Sequence, residues 1–130
     1  MGKQNILITG ISGQDGAFLA NRFLSDNSTK YNIYGTSRQK PSIALKNINS
    51  LGSNVNNLKI VQTDLTDPSE VLKLISDIEP NQVFNLSGPS SVYDSINNAN
   101  YFEATINKIF DNLINAFIHL RIFPVFYQAC

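Results

Sequence analysis

Short apolar runs with strand character alternate with helical patterns along the chain, and this alternation constrains the fold more than any other feature. The runs expected as strands are Asn5–Thr9, Tyr31–Ser37, Leu58–Thr63, Gln82–Leu86 and Pro124–Gln128. They are apolar almost continuously rather than at every second residue, which is typical of parallel strands covered on both faces. The sequence therefore predicts an α/β fold, a doubly wound parallel sheet of about five strands in one domain spanning residues 1–130.

The segments between the runs carry helical signals of different strength. Apolar spacing predicts helices over Asp15–Ser25 and along the stripe from Phe102 to Leu120, whereas residues 38–57 are rich in Ser and Asn and indicate a loop with at most one short helix. The best-marked helix has Asp67 as its N-cap, Pro68 at its first position and Glu70 three residues after the cap, and Pro80 ends it.

A glycine-rich turn joins the first strand to the first helix. Gly10–Gly16 reads G-I-S-G-Q-D-G, and glycines at this spacing allow a tight turn, a close approach of backbone to a pyrophosphate and close packing of helix on strand. The helix N-terminus then offers free N–H groups to phosphates. Asp15 is unusual here because its charge repels phosphate, so we expect it to cap the helix with its side chain turned away. No G-K-[ST] follows, which argues against a Walker-type ATPase.

The second strand ends in Gly35-Thr36-Ser37-Arg38. An acidic residue at this place would bind the ribose hydroxyls of NAD. The sequence offers Arg38 instead, and a guanidinium suits a 2′-phosphate, so we prefer NADP to NAD. The alternative is an ordinary solvated arginine.

Two further turns follow strands three and four. Asp64 could accept a hydrogen bond from an adenine amino group with Leu65 packed on the ring, or it could only shape the turn before the helix. The small residues of Ser87–Ser91 lie where doubly wound sheets bind ligands, and they would let ribose and nicotinamide approach the backbone. A simple Gly-Pro turn is the alternative.

Composition excludes several classes of protein. Lys+Arg and Asp+Glu both number 10, which removes any electrostatic case for binding nucleic acid or an anionic membrane. One cysteine, Cys130, and one histidine, His119, cannot form a disulfide framework or a metal-ligand cluster. The start of the chain lacks the apolar core of a signal peptide, and no run has the length of a membrane span. We expect a cytoplasmic protein.

Together these stretches resemble the extended short-chain dehydrogenase/reductase family, and within it the GDP-mannose 4,6-dehydratases, whose loop reads G-I-T-G-Q-D-G. The Gln14-Asp15 pair is more specific than the glycines. The likeness continues at Arg38, at Thr63–Asp67 (G-D-L-T-D in the family), at Phe84–Ser90 and at Tyr101, and it ends with F-Y-Q-A at Phe126–Ala129. It implies a Rossmann-like NADP-binding domain with cofactor contacts at Gly10, Ile11, Ser12, Gly13, Gln14, Asp15, Arg38, Asp64, Leu65, Leu86, Ser87, Gly88, Pro89, Ser90 and Tyr101.

The chain departs from the family pattern at two places. Pro89 replaces a common Gln and removes an N–H, and Phe110-Asp111 stands where relatives often have Gly-Thr, in a helix that belongs to the subunit interface of many members. The resemblance implies a homo-oligomer for the full-length enzyme.

The resemblance also places the catalytic residues outside these 130 residues. The family's T-x-E would begin after Cys130, the Y-x-x-x-K pair comes later, and no tyrosine here has Lys four places on. We therefore expect an N-terminal part that is truncated before the substrate domain and inactive alone. For the intact enzyme the resemblance implies conversion of GDP-mannose to GDP-4-keto-6-deoxymannose by internal hydride transfer with NADP. The alternatives are part of another nucleotide-sugar epimerase or dehydratase, or a non-catalytic NADP-binding module.

Overall fold

Strands and helices alternate strictly within residues 2–27, 30–49, 57–87 and 99–129, which the computed structural model describes. The strands are β1 (Gln4–Thr9), β2 (Tyr31–Ser37), β3 (Leu58–Gln62), β4 (Gln82–Asn85) and β5 (Val125–Gln128). The helices are α1 (Gln14–Asn27), α2 (Pro41–Asn49), α3 (Pro68–Ile78) and α4 (Ala99–Leu120).

All five strands form one parallel sheet in the order β3-β2-β1-β4-β5. The chain first moves outward from β1 to β2 and β3, then returns to the other side of β1 with β4 and β5. The order therefore reverses at β1 and β4, where doubly wound sheets open a crevice at the carboxyl ends of their strands. The predicted α/β fold is confirmed.

The sheet has a hydrophobic core on each face. Successive side chains of β1 point to opposite faces, so Leu7 packs with α3 and α4 while Ile6 and Ile8 pack with α1 and α2. Leu7, Ile6 and Ile8 are fully buried. This explains why the strand is apolar without interruption, and it confirms that both faces of the sheet are covered at β1. At the β5 edge Val125 and Tyr127 remain exposed.

Within residues 38–57, the described part contains a short helix, α2, as the sequence allowed. Several predicted boundaries are wrong by one to three residues. α1 begins at Gln14 instead of Asp15, so Asp15 lies in the first turn and is not the cap, and α4 begins three residues before Phe102.

Four strand ends also differ from the prediction. β1 begins at Gln4 instead of Asn5. Leu86 leaves β4 because its N–H donates to the Thr9 hydroxyl (3.1 Å) rather than to a neighbouring strand. Pro124 precedes β5, and it has no N–H to contribute to the ladder. Thr63 lies just past β3, although its N–H still donates to Ser37 O of β2 (2.9 Å).

α3 begins where the sequence predicts. The Asp67 carboxylate accepts hydrogen bonds from Ser69 N (2.9 Å) and Ser69 Oγ (2.7 Å), and the bond from the Ser69 hydroxyl, followed by that from its backbone, lowers the pKa of Asp67. The Glu70 carboxylate, three residues after the cap, accepts from Asp64 N (3.3 Å), while Asp67 N donates to Asp64 O (3.2 Å). The helix ends at Glu79 in the left-handed conformation (φ 49°), just before Pro80.

A hydrogen-bond network, buried at Thr9 and Asn85 and exposed at Gln128, joins the carboxyl ends of β1, β4 and β5. Thr9 Oγ1 donates to Asn85 Oδ1 (2.6 Å), and Asn85 Nδ2 donates to Gln128 Oε1 (2.7 Å). Thr9 and Asn85 are at most 1% exposed. The network fixes the three strand ends at the point where the sheet order reverses.

Replacing Thr9 with Val should lower the free energy of unfolding by about 1–3 kcal/mol, because Val keeps the shape but leaves Asn85 Oδ1 and the Leu86 N–H without the Thr9 hydroxyl. Urea denaturation followed by circular dichroism measures the change. The control is Thr105→Val in α4, whose hydroxyl makes no hydrogen bond among the described residues, and it should stay within about 0.5 kcal/mol of the unmodified chain. Equal effects of the two substitutions would show that the network contributes nothing.

Candidate functional site

A cleft of about 370 Å³ opens at the carboxyl ends of β1, β2, β3 and β4, where the strand order reverses. Four separate stretches of sequence converge on it, one after each of these strands. Of the predicted contact residues, those that line the cleft are Gly10, Ser12, Gly13, Arg38, Asp64, Leu65, Leu86 and Ser87.

The glycines of the Gly10–Gly16 loop meet different constraints. Gly10 has φ 70°, and a Cβ on it would lie 2.8 Å from Leu86 O; a Cβ on Gly16 would overlap Gly10 O. A Cβ on Gly13 would meet only Gly10 O at 3.4 Å, an ordinary contact, and Gly13 lines the cleft. Packing within the protein therefore requires Gly10 and Gly16, but it does not require Gly13.

Ile11 anchors the loop rather than lining the cleft. Its side chain is fully buried and its N–H donates to Thr36 O (2.9 Å). A Cβ on Gly35 would lie 2.7 Å from Ile11 Cγ1. The absence of a side chain at Gly35 therefore allows Ile11 to pack directly against β2. Gln14 and Asp15, also predicted as contacts, are exposed in the first turn of α1 and are not among the residues that line the cleft.

The end of β2 forms a hydrogen-bonded rim. Ser37 Oγ donates to Ser12 Oγ (3.1 Å) and accepts from Gln39 N (3.0 Å), which ties the glycine loop to the turn that carries Arg38. Gln62 Nε2 donates to Arg38 O (3.1 Å) from β3. The Arg38 side chain is exposed, and no described residue pairs with its guanidinium.

The turn after β3 is shaped by Asp64, as one of the two sequence interpretations held. Asp64 Oδ1 accepts from Thr66 N (3.0 Å) and Thr66 Oγ1 (2.6 Å). Leu65 is 5% exposed and belongs mainly to the core that includes Ile109 and Leu113. Only a small part of the Leu65 side chain is therefore available to the cleft.

The fourth wall combines the end of β4 with α4. Leu86 and Ser87 line the cleft, whereas Gly88, Pro89 and Ser90 lie outside the described residues. Tyr101 is 63% exposed on α4 and does not line the cleft. The same helix does line the cleft one and two turns further along, with Thr105 and Ile109.

The sequence interpretation missed several cleft residues, which are Thr36, Ser37, Gln39, Thr63, Thr66, Thr105 and Ile109. The small polar residues at strand ends could have been predicted as cleft residues from their position, because the carboxyl ends of parallel strands meet at one edge of the sheet. The sequence gives no indication that Thr105 and Ile109 line a cleft, since their spacing is that of any packed helix.

The lining can receive an anionic, partly apolar ligand. Backbone N–H groups at the start of α1 and the Arg38 cation favour phosphates, and Ile109 and Leu65 offer apolar surface. Among the described residues, no three of His, Cys, Asp or Glu gather as they would around a metal ion. None of the described helices is long and apolar enough to cross a membrane.

Comparison with solved structures supports the fold. The chain is similar to the UDP-glucose 4-epimerase of Bifidobacterium longum, solved in complex with NAD+ and UDP, with a TM-score of 0.75 and 13% identity over 95% of this chain and 36% of that one. The UDP-Glc/GlcNAc 4-epimerase of Campylobacter jejuni gives a TM-score of 0.73 and 19% identity, covering 92% and 35% of the two chains. At these identities the likeness concerns the fold.

Sequence comparison is more specific. The chain is 37% identical over 108 residues to the human GDP-mannose 4,6 dehydratase, covering 78% of this chain and 28% of that protein. It is 32% identical over 105 residues to the Vibrio cholerae serotype O1 enzyme, covering 78% and 27%. The chain thus spans about a quarter of the length of these relatives. The family model for GDP-mannose 4,6 dehydratase matches residues 7–130, and the chain therefore belongs to that family.

Proposed function

We propose that the chain binds NADP in this cleft as the cofactor-binding domain of a nucleotide-sugar dehydratase. Gly13 carries the proposal. The residue lines the cleft and lacks a side chain at a point where the fold would accept one. A backbone left bare toward an open cleft at the N-terminus of a helix is what close approach of a pyrophosphate requires.

Arg38 supports NADP rather than NAD. Its guanidinium is exposed at the rim beside the Ser12–Ser37–Gln39 hydrogen bonds, on the strand end where doubly wound folds hold the adenosine ribose. A 2′-phosphate there would gain a charge-assisted bond without breaking one that Arg38 already makes to a described residue.

The remaining contacts follow from their place along the cleft. Asp64 and Leu65 would meet the adenine, although the Thr66 bonds occupy one Asp64 oxygen. Leu86 and Ser87, with Gly88, Pro89, Ser90 and Tyr101, would lie at the ribose and nicotinamide end. Gln14, Asp15 and Ile11 would act through the backbone or by supporting the loop.

For the whole enzyme we propose conversion of GDP-mannose to GDP-4-keto-6-deoxymannose, a lyase reaction, in a cytoplasmic homo-oligomer. Family membership over residues 7–130 supports this. When bound, NADP supplies an acceptor that takes up a hydride and returns it within one turnover. This chain's residues would hold and orient that cofactor.

Gly13→Ala should weaken NADP binding at least about tenfold, a loss of about 1.4 kcal/mol, because the methyl group enters the cleft. The free energy of unfolding should fall by less than about 1 kcal/mol, since Gly13 precedes α1 and Ala is only a poorer cap. Isothermal titration calorimetry and urea denaturation measure the two effects.

Two glycine variants serve as controls for this experiment. Gly2→Ala, whose Cβ would have nothing within 4 Å, should change neither quantity. Gly16→Ala should destabilise the fold itself, because its Cβ would overlap Gly10 O. Unchanged NADP affinity in a folded Gly13→Ala protein would contradict the placement of the pyrophosphate.

Arg38→Ala should erase a preference for NADP over NAD, with NADP affinity falling about tenfold or more through loss of a charge-assisted phosphate contact and NAD affinity nearly unchanged. Titration of each variant with both cofactors gives the ratio. Lys73→Ala, which removes a positive charge from α3 outside the cleft, should preserve the ratio. Equal affinities for NADP and NAD in the unmodified chain would refute the assignment.

The 130-residue chain should bind NADP without converting GDP-mannose, because the residues that the family resemblance assigns to catalysis are not in it. Incubation with NADP and GDP-mannose, followed by chromatography of the nucleotide sugars, tests this. Measurable product above a no-protein control would show that the assignment of catalysis to other residues is wrong.

A further inference from the structure

A buried hydrogen bond links α4 to the turn after β3. Asn112 Nδ2 donates to Leu65 O at 2.9 Å, and the Asn112 side chain is 8% exposed. The two residues are 47 positions apart in the sequence. The bond therefore fixes the turn at Asp64–Thr66 relative to an element that is distant along the chain.

The turn's own bonds are of a different kind. Thr66 donates to the Asp64 carboxylate two positions away, and Asp64 N donates to the Glu70 carboxylate six positions away; these bonds are exposed. Such bonds shape the turn locally, but they compete with water and do not position it against the cleft. The Asn112 bond is shielded from solvent, and loss of its donor would leave the buried Leu65 carbonyl without this partner.

α4 also forms a wall of the same cleft. Thr105 and Ile109 line it, and Asn112 follows them at helical spacing on the same side of the helix. Ile109 and Leu113 pack against Leu65 in one core cluster. The helix therefore lines the cleft and, through Asn112, holds the adjoining turn after β3 in place.

We propose that Asn112 is a positioning residue for the adenosine half of the cofactor. It acts through the Leu65 carbonyl and sets where Asp64 and Leu65 meet the adenine. The inference rests on the proposed NADP site and adds to it a residue that does not itself line the cleft.

The test compares Asn112→Leu and Asn112→Asp, both close to Asn in size and both lacking the amide donor, with Asn115→Leu, which makes the same chemical change at an exposed position of α4. Each protein is titrated with NADP and with 2′,5′-ADP, which contains only the adenosine half. Both Asn112 variants should bind the two ligands about tenfold more weakly, and by equal factors, because the released turn must be brought back to its place when the adenosine half binds, at a cost of about one hydrogen bond. Asn115→Leu should stay within twofold.

Equal losses of affinity for NADP and for 2′,5′-ADP distinguish a positioning role at the adenosine half from a general loosening of the cleft. If substitution at Asn112 loosened the whole cleft, NADP would lose more affinity than 2′,5′-ADP, and the inference would be overturned. Unchanged affinity for 2′,5′-ADP would overturn it as well. If the unmodified chain bound neither ligand, the proposed function would fail first and the inference with it.

Hydrogen exchange keeps the test informative if one variant is poorly folded. Without ligand, the amides of Thr66 and Asp67 should exchange faster in the better-folded Asn112 variant, while the amides of β1 keep their protection. Unchanged exchange in the turn would contradict the inference whatever the affinities show.

Discussion

The site depends on close contacts between backbone segments, which a side chain at Gly10 or Gly16 would prevent. The Gly10–Gly16 loop rests directly on the end of β4 through Gly10 and folds back on itself at Gly16, and Gly35 lets Ile11 sit against β2. These contacts bring the start of α1 to the carboxyl edge of the sheet. Without them the loop would stand away from the strands, and the cleft would lose the wall formed by the first helix.

Polar residues at that same edge, most of them buried, give the cleft a fixed shape. Three strand ends are joined by Thr9, Asn85 and Gln128. On α4, Asn112 donates a hydrogen bond to the turn after β3 and so fixes its position. A parallel sheet bonds its strands to one another along their length but leaves their ends free to fray. Side-chain hydrogen bonds with low exposure limit that freedom, because breaking one leaves a polar group without a partner in the interior.

The sequence predicted the fold well because the relevant signals are local and repeated. Continuous apolar runs identified the strands, and Asp67 and Pro68 marked the start of α3. Family resemblance supplied a set of contact residues, of which Arg38, Asp64 and others after different strands do meet at one cleft. Ile11 was assigned to the cofactor on the same basis, whereas the structure places its side chain in the core.

What the sequence could not predict depends on contacts between distant segments. Nothing around Asn112 distinguishes it from the exposed Asn115 on the same helix, because burial of an amide follows from what packs against it. Likewise the different roles of Gly10, Gly13 and Gly16 cannot be read from their spacing. They appear only when the neighbours of each absent side chain are known.

That division among the glycines bears on how related sequences diverge. Substitution at Gly10 or Gly16 is opposed by the folding of the chain, whatever the chain binds, whereas substitution at Gly13 meets little opposition from packing and, under the proposed function, is opposed mainly by the ligand. A descendant released from cofactor binding would thus be expected to accumulate changes at position 13 while retaining its two flanking glycines. Under the proposed function, a bulky residue at position 13 in a member of the family would mark a domain that has kept the scaffold without holding a dinucleotide.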